Sequence, residues 1–250
     1  MPDALTAALA LPGLGWLVAL TFATGLLYGF AGFGSALVFM PLATLVISPL
    51  VAAAAFSASA LSSLLTVFPR AWAEADKPAV LTLFAAVAVA TPVGQLALRF
   101  ADPDLLRWAI SAAVLATLAA LLAGWRYTGR PGRPAWLGVG GIAGLVGGAT
   151  GLHGPALVLF QLGGSDSVAR SRANTIVVLT LSGLAFLPLL ALQGALPGVA
   201  LGLGALLFLP FAAGTLIGRR LFDPARVEMY RKVAFSLIGA AGLIGLPIGW

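Results

Sequence analysis

The stretch GLLYGFAGFGSALVFMP (Gly25–Pro41) decides how this chain folds, because it recurs loosely as GLVGGATGLHGPALVLF (Gly144–Phe160). Three glycines keep the same spacing in both copies: Gly25, Gly29 and Gly32 in the first, and Gly144, Gly148 and Gly151 in the second. Each copy interrupts a strongly apolar segment with residues that a membrane helix would otherwise avoid. Duplicated units with interrupted membrane helices are typical of secondary transporters.

The composition places the chain in a lipid bilayer. Hydrophobic residues make up 60% of the sequence and charged residues only 9%, whereas a soluble domain carries about 25% charged residues. Such a chain cannot cover a water-facing surface, so we expect a multi-pass, all-α integral membrane protein of the bacterial inner membrane. We assign the net charge of +6 to loop arginines that fix the orientation in the bilayer, and we expect no nucleic-acid partner.

The residue types that build a metal or cofactor site are scarce. The chain has no cysteine and a single histidine, His153, which excludes a thiolate site and a histidine cluster. Its eight acidic residues fall near the ends of apolar segments, so the pattern predicts neither a buried carboxylate relay nor a cage for a metal cation. We therefore expect no cofactor and no metal, and we see no nucleophile–base pair that would indicate an enzyme.

Eight apolar segments divide the chain into two similar halves. They cover 13–48, 50–69, 78–100, 104–125, 135–163, 173–193, 197–218 and 230–249. The mid-chain run RYTGRPGRP has the Pro, Gly and Arg content of a linker. We predict an N-terminal transmembrane repeat over 1–126, a linker over 127–134 and a C-terminal transmembrane repeat over 135–250. Further signals match between the halves, namely Gly94 with Gly214 and Asp102-Pro103 with Asp223-Pro224.

The first segment of each half has an unusual length. As one helix, 13–48 would extend about 54 Å at 1.5 Å per residue, while the hydrocarbon core is about 30 Å thick. A helix that enters, breaks at Gly29–Gly34 and returns fits this length, and protein or water must then cover the irregular backbone. We predict two pseudo-symmetric, inverted repeats with broken or re-entrant first helices. One long tilted span is the alternative for 135–163.

The basic residues support the re-entrant arrangement. If the three later segments of each half cross the membrane, all 14 lysines and arginines except Arg99 and Arg107 fall on one side. Eight simple crossings distribute them more evenly. The positive-inside rule then places the basic side in the cytoplasm.

Two interpretations of the glycine clusters stay open. Breaks within Tyr28–Ser35 and Gly147–Gly154 would expose backbone N–H groups at the start of the following half-helix, where the helix dipole also favours anions. Alternatively, the small residues let neighbouring helices pack closely. Two aligned clusters favour the first interpretation. It makes the following residues substrate-binding candidates: Gly32, Phe33, Gly34 and Ser35 in the first copy, and Gly151 and Gly154 in the second.

Five polar residues of the second half extend the candidate site. His153 either binds a proton that balances an anion, or stays neutral and holds the break in shape. Arg172 either donates paired guanidinium N–H groups to an oxyanion at the symmetry axis, or lies on the cytoplasmic side and sets the topology. Asn174 and Thr175 lie one turn or less from Arg172 and would add neutral donors. Gln161 is the isolated glutamine nearest to a glycine cluster.

The corresponding helix of the first half is rich in hydroxyl groups. Ser59, Ser62, Ser63 and Thr66 recur at i, i+3, i+4 and i+7, so they are predicted to share one helix face. That face is too polar for lipid, and it either lines a hydrated path or bonds neighbouring helices together. We include Ser59 in the candidate site.

These motifs together resemble the TauE/SafE sulfite exporter family, also called the toluene sulfonate uptake permease group. The paired glycine motif, the polar helix after each copy and Arg172-Ala-Asn-Thr175 carry the resemblance over nearly the whole chain. The family comprises membrane proteins linked to movement of sulfite, sulfonates and related anions. By resemblance, the first motif would comprise Gly29, Gly32, Gly34 and Ser35, and the second Gly148, Gly151, His153 and Gly154. The sequence departs from the glycine-rich pattern at Ser35 and His153.

The residues and the resemblance lead to one expected function. We expect a secondary transporter, in the exporting direction, for a small sulfur-containing anion bound between the two glycine breaks. A passive anion channel and a non-transporting membrane scaffold are the alternatives. A proton or sodium coupling ion and a homodimer are both compatible with the sequence.

Overall fold

The computed structural model describes residues 2–125, 132–163, 167–221 and 227–248, and these residues are helical with short connections. The helices are α1 (Pro2–Leu9), α2 (Leu14–Ala31), α3 (Ser35–Ala43), α4 (Pro49–Ala60), α5 (Ser63–Thr66), α6 (Phe68–Glu74), α7 (Lys77–Phe100), α8 (Pro103–Leu122), α9 (Arg133–Thr150), α10 (Gly154–Gly163), α11 (Val168–Leu192), α12 (Gly198–Leu221) and α13 (Val227–Ile244). Within the described residues, six spans are long and apolar enough to cross a membrane: α2, α4 with α5, α7, α8, α11 and α12. The prediction of a multi-pass α-helical membrane protein is confirmed.

The predicted apolar segments coincide with helices or helix pairs. The two first segments each split into a long and a short helix, α2 with α3 and α9 with α10. The short helix α1 lies outside the predicted segments, and α6 begins at the end of the segment 50–69 and extends beyond it. The division into repeats stays a prediction, and 126–131 of the expected linker lies outside the described residues.

Local capping fixes where several helices begin. Asp102 accepts hydrogen bonds from the backbone N–H groups of Asp104 and Leu105, with Pro103 as the first helical residue of α8. Asp76 caps α7 in the same way through Ala79. This is the N-cap role expected of an aspartate before a helix. The matching Asp223-Pro224 of the second half lies outside the described residues.

Glycines join the two halves by direct backbone contact. A Cβ on Gly25 of α2 would lie 2.6 Å from the Phe211 carbonyl oxygen of α12. Gly148 of α9 meets the Thr91 carbonyl oxygen of α7 in the same way. The first helix of each half therefore packs on the third segment of the other half. Close packing through small residues is the right interpretation for these glycines.

Both of these helix pairs run parallel. Along α2, Gly25 faces Gly214 and Gly29 faces Gly218, so the contacts advance in the same direction on α12. Along α9, Gly144 contacts Val87 and Gly148 contacts Thr91 and Gly94 of α7. The predicted equivalence of Gly94 with Gly214 therefore corresponds to equivalent contacts.

Two arginines complete the interlocking of the halves. Arg99, at the end of α7, donates from Nη1 to the Gln193 carbonyl oxygen at 2.6 Å, where α11 ends. Arg219, near the end of α12, donates from Nη1 to the Thr66 carbonyl oxygen at 2.6 Å, where α5 ends. In each case the guanidinium pairs with a carbonyl group at the end of another helix, which has no hydrogen-bond partner within that helix.

The first segment doubles back on itself. The Trp16 indole N–H, in the first turn of α2, lies 3.5 Å from the Leu42 carbonyl oxygen near the end of α3. A Cβ on Gly13 would lie 3.3 Å from the Val46 side chain just beyond α3. The chain therefore returns to the end of α2 from which it started, as the length argument predicts for 13–48.

Candidate functional site

The first helix break is built from two left-handed glycines. Gly32 ends α2 with φ 81°, and Gly34 precedes α3 with φ 89°. Side chains rarely adopt such angles, so glycine is needed at both positions. Gly34 provides no side-chain cap for α3, so the first N–H groups of α3 depend on other partners.

The second break follows a different path. Gly151 ends α9 with φ 75°, and its N–H bonds the Gly147 carbonyl oxygen at 2.8 Å. The Gly32 N–H bonds the Tyr28 carbonyl oxygen at the same distance, so the two helices end alike. His153 replaces Gly34, and no non-glycine residue in the described part of the chain has a positive φ. The two breaks therefore differ on the side where the short helix begins.

A cavity of about 60 Å³ lies between the two breaks. Gly34 and Ser35 line it from the first break, and Gly151, His153 and Gly154 line it from the second. The other polar lining residues described are Tyr28, Ser57, Ser63 and Thr180, and the described lining includes no Asp, Glu, Lys or Arg. Aromatic rings close one side, where Phe56 meets Phe211 edge-on at 5.7 Å.

A chain of hydroxyl groups lines this cavity. The Tyr28 hydroxyl lies 3.4 Å from Thr180 Oγ1 and 3.5 Å from the Ile176 carbonyl oxygen. Thr180 Oγ1 lies 3.1 Å from Ser63 Oγ, and Ser63 donates to the Ala60 carbonyl oxygen at 2.6 Å. A hydroxyl has one proton, so Thr180 must donate to Ser63. The hydroxyl protons are thus directed at protein acceptors.

His153 occupies space that glycine provides. Its side chain is only 7% exposed, and a Cβ on Gly147 would lie 2.7 Å from its Nε2 atom. The ring meets Phe186 edge-on, with centroids 5.8 Å apart. The Nε2 atom is buried and has no hydrogen-bond partner within the described part of the protein.

At two aligned positions, one copy of the motif has an aromatic ring where the other copy has a glycine. The motif alignment pairs Tyr28 with Gly147 and Gly34 with His153. Each copy therefore has one aromatic polar ring and one glycine at these two positions, in opposite order. Both rings line the cavity, so each copy of the motif contributes one.

Arg172 lies at the first break, but outside the described cavity lining. It donates from Nη2 to the Gly29 carbonyl oxygen at 2.6 Å. A Cβ on Gly32 would lie 2.7 Å from its Cγ atom. The guanidinium therefore stabilises the carboxyl end of α2, where a positive charge is favourable.

Three other candidates form hydrogen bonds with protein groups and do not line the cavity. Asn174 accepts the backbone N–H of Asp76 at 2.8 Å. Thr175 donates to the Ser171 carbonyl oxygen at 2.8 Å, and Ser59 donates to the Phe56 carbonyl oxygen at 2.8 Å. The described cavity lining does not include the remaining three candidates, Gly32, Phe33 and Gln161.

The expected serine face is interrupted. Because α4 ends at Ala60 and α5 begins at Ser63, the i, i+3, i+4, i+7 spacing does not follow one continuous helix. Ser63 reaches the cavity and Ser59 does not. Four hydroxyl residues of the cavity were absent from the candidate site: Tyr28, Ser57, Ser63 and Thr180. Tyr28 could have been found, because it lies within the first glycine motif.

The site is a small cavity in which polar groups lie among a larger apolar lining. Within the described residues, no group of three or more His, Cys, Asp or Glu side chains could hold a metal ion. A family model described as "Sulfite exporter TauE/SafE" matches residues 17–244 and so spans both helix breaks. Neither a curated protein nor a solved structure was found to match.

Proposed function

The chain belongs to the TauE/SafE sulfite exporter family, and on that premise we propose that the cavity between its two helix breaks binds the transported sulfur oxyanion. Membership makes the protein a membrane transporter for sulfur-containing anions. The observation that carries the proposal is the position of the cavity, which both breaks line.

The size of the cavity favours a small oxyanion. A cavity needs at least about 10–15 Å³ to hold one water molecule, so about 60 Å³ has room for only a few non-hydrogen atoms. Sulfite, with one sulfur and three oxygens, fits within this space. An aromatic sulfonate exceeds it. We therefore propose sulfite or a sulfonate of similar size as the substrate.

The charge distribution suits an anion. The helices α3 and α10 both begin at the cavity, with Ser35 and Gly154 in its lining. Free N–H groups and the positive end of the helix dipole stabilise negative charge at such positions. The described lining includes no carboxylate that would repel an anion.

Arg172 supports this site indirectly in our proposal. Its hydrogen bond to the Gly29 carbonyl oxygen fixes the end of α2 and hence the start of the first break. Asn174 acts at a greater distance, since it joins α11 to the start of α7 through Asp76. We propose that both residues position the breaks and do not contact the anion.

Transport requires that the cavity open to each side of the membrane in turn, and we propose inverted repeats for this purpose. The helices α7 and α11 start together at Asp76 and Asn174, and end together at Arg99 and Gln193. The helix α12 ends beside Thr66, shortly before α7 starts in the chain, so we infer that α12 runs opposite to α7 and α11. Since α9 is parallel to α7 and α2 is parallel to α12, α2 and α9 point in opposite directions. This supports the inversion.

The basic residues then orient the protein. In this arrangement Arg99 and Arg107 lie on one side, and the remaining basic residues lie on the other, which we propose faces the cytoplasm. Arg126, Arg130 and Arg226 contribute to this argument from sequence alone, because they lie outside the described residues.

Ligand-dependent thermal unfolding of the purified protein tests the proposal. Sulfite and methanesulfonate should stabilise the protein, by about 2.7 kcal/mol at one hundred times the dissociation constant, whereas toluenesulfonate should not. Any anion that binds should then show counterflow exchange in vesicles. Stabilisation by toluenesulfonate alone would contradict the size argument, flux without counterflow would identify a channel, and no stabilisation by any anion would favour a scaffold.

A cavity-filling variant locates the site. Gly154 lines the cavity, and no atom lies within 4 Å of a Cβ placed there. Gly154→Val should therefore fold and lose anion binding. Gly141→Val, on α9 with equally open surroundings, is the matched control and should bind normally. Normal binding by Gly154→Val would place the substrate elsewhere.

A further inference from the structure

His153 is the cavity residue that the proposed function leaves unexplained. Its ring lies between Gly147 of α9 and Phe186 of α11, and its Nε2 atom is buried without a hydrogen bond inside the described structure. Buried polar atoms normally have a partner. The residue also lines the cavity, so a solute bound there would lie beside the imidazole ring.

Among the described residues that line the cavity, no counter-charge faces this imidazole. Tyr28 is the other titratable residue among the described lining residues, and Ser35 and Ser63 are neutral. Gln95 of α7 approaches through its hydrogen bond to the Phe186 carbonyl oxygen at 2.9 Å, and it is neutral as well. An imidazolium in the empty cavity would be a buried charge without a partner, which is strongly unfavourable.

An anion bound without a proton would in turn be a buried negative charge without a full counter-charge. The chain from Tyr28 through Thr180 to Ser63 directs its protons at protein acceptors. Arg172 is bonded to the Gly29 carbonyl oxygen outside the described lining. The amide groups of the two short helices then offer only partial positive charge.

We propose that the anion binds together with one proton, and that His153 holds this proton beside the anion. The imidazole takes up the proton from water as the anion enters, and returns it as the anion leaves, so the cavity carries a neutral pair. Each ligand thereby increases the affinity for the other by the same factor. This inference rests on the proposed function, since it requires the cavity to be the anion site, and it assigns the coupling ion as a proton.

The histidine also makes the two repeats chemically different. Gly34 occupies the equivalent position in the first copy of the motif, and the polar ring of that copy, Tyr28, is a phenol that stays neutral near pH 7. Proton binding is therefore assigned to the second break alone.

The test measures proton uptake on anion binding. Methanesulfonate is the probe, because it keeps a single negative charge between pH 5 and 9, unlike sulfite. In weakly buffered detergent solution, wild-type protein should take up close to one proton for each methanesulfonate bound near neutral pH. Its affinity should fall by up to about tenfold for each pH unit above the titration of the free ring, as linkage to one proton requires.

Two variants distinguish proton binding from anion binding. His153→Gln keeps hydrogen bonding but cannot titrate, so it should bind methanesulfonate with a pH-independent affinity and without proton uptake. Tyr28→Phe removes a neutral hydroxyl from the same cavity, so it should retain the pH dependence and the proton uptake of the wild type. Size-exclusion chromatography checks that both variants are folded.

Each outcome bears on a separate claim. If wild-type protein binds methanesulfonate with the same affinity from pH 5 to 9, the proton coupling is wrong while the anion site stands, and this result needs no variant. Proton uptake by folded His153→Gln would assign the proton to another group and overturn the role of His153. A requirement for sodium in place of protons would also overturn it. Absence of binding by any sulfur anion would instead reject the proposed function.

Discussion

The first helix break uses two left-handed glycines, whereas the second uses one glycine and a histidine. Gly32 and Gly151 end their helices alike, each with a positive φ and a bond to the carbonyl four residues earlier. The next positions diverge, because Gly34 has φ 89° and His153 does not have a positive φ. The shared half of the motif therefore ends a helix, and the variable half sets the chemistry of the cavity.

The surroundings of the two breaks diverge in the same way. Arg172 packs over Gly32, while Ala53 and Met40 pack over Gly151. The first break thus has a charged group on the protein side and a glycine beside the cavity. The second has small or apolar side chains on the protein side and a titratable ring beside the cavity. We therefore propose that both breaks line the anion site, with the first contributing more to stability and the second contributing the titratable group.

The largest expected effect comes from filling the space that the His153 ring occupies. Gly147→Val would place methyl groups where the His153 ring lies. Overpacking of this kind costs about 3 kcal/mol when the neighbour cannot move. We expect a loss of about that size in equilibrium unfolding in mixed micelles, together with loss of methanesulfonate binding.

The control is a glycine of the same helix with open surroundings. Gly141→Val should cost less than about 1 kcal/mol, because no atom lies within 4 Å of its Cβ position. Equal losses in the two variants would mean that helix propensity, and not the space for His153, explains the effect of Gly147→Val.

Much of the fold could be predicted, because membrane helices are specified locally. Apolar length predicts the spans, Asp102 before a proline predicts a helix start, and paired glycines predict the breaks. The glycine clusters combine two structural roles, and anion binding at the breaks stays a prediction. Gly25 and Gly148 permit close packing, whereas Gly34 takes a backbone angle that only glycine adopts readily.

The cavity lining was harder to predict, because it depends on contacts between the halves. Arg172 could reach either an anion or a carbonyl, and only the packing of α11 beside α2 brings it to Gly29. Ser59 and Ser63 are both serines of one polar segment, and the interruption after Ala60 decides which of them faces the cavity. Thr180 shows no motif at all, and its role follows from its distance to Tyr28 and Ser63.

A second way to sharpen the comparison is to remove the charge at the first break. Arg172→Met keeps much of the apolar stem but deletes the hydrogen bond to the Gly29 carbonyl oxygen. Hydrogen bonds to charged groups contribute about 1.5–3 kcal/mol, so we expect a loss of about 2 kcal/mol in unfolding free energy. At temperatures where the variant is folded, methanesulfonate affinity should fall by less than about tenfold.

A direct anion contact by Arg172 predicts a different result. Affinity would then fall by more than a hundredfold, whereas unfolding without ligand would change little. Arg219→Met is the matched control, since it removes an equivalent bond at Thr66 away from the described cavity lining. It should reduce stability by a similar amount and leave anion affinity unchanged.

The smallest expected effect compares one alanine substitution in each break. Gly34→Ala must place a Cβ at φ 89°, with the Leu27 side chain 3.3 Å away, and the left-handed angle alone costs about 1 kcal/mol. Gly154 has an ordinary φ and open space, so Gly154→Ala should change the unfolding free energy by less than about 0.5 kcal/mol. Its methyl group nevertheless enters a cavity of about 60 Å³ and should weaken methanesulfonate binding several-fold.

Stability should therefore respond at the first break and affinity at the second. If Gly154→Ala lost stability while keeping its affinity, the second break would be a structural element like the first, and the division of roles between them would be wrong.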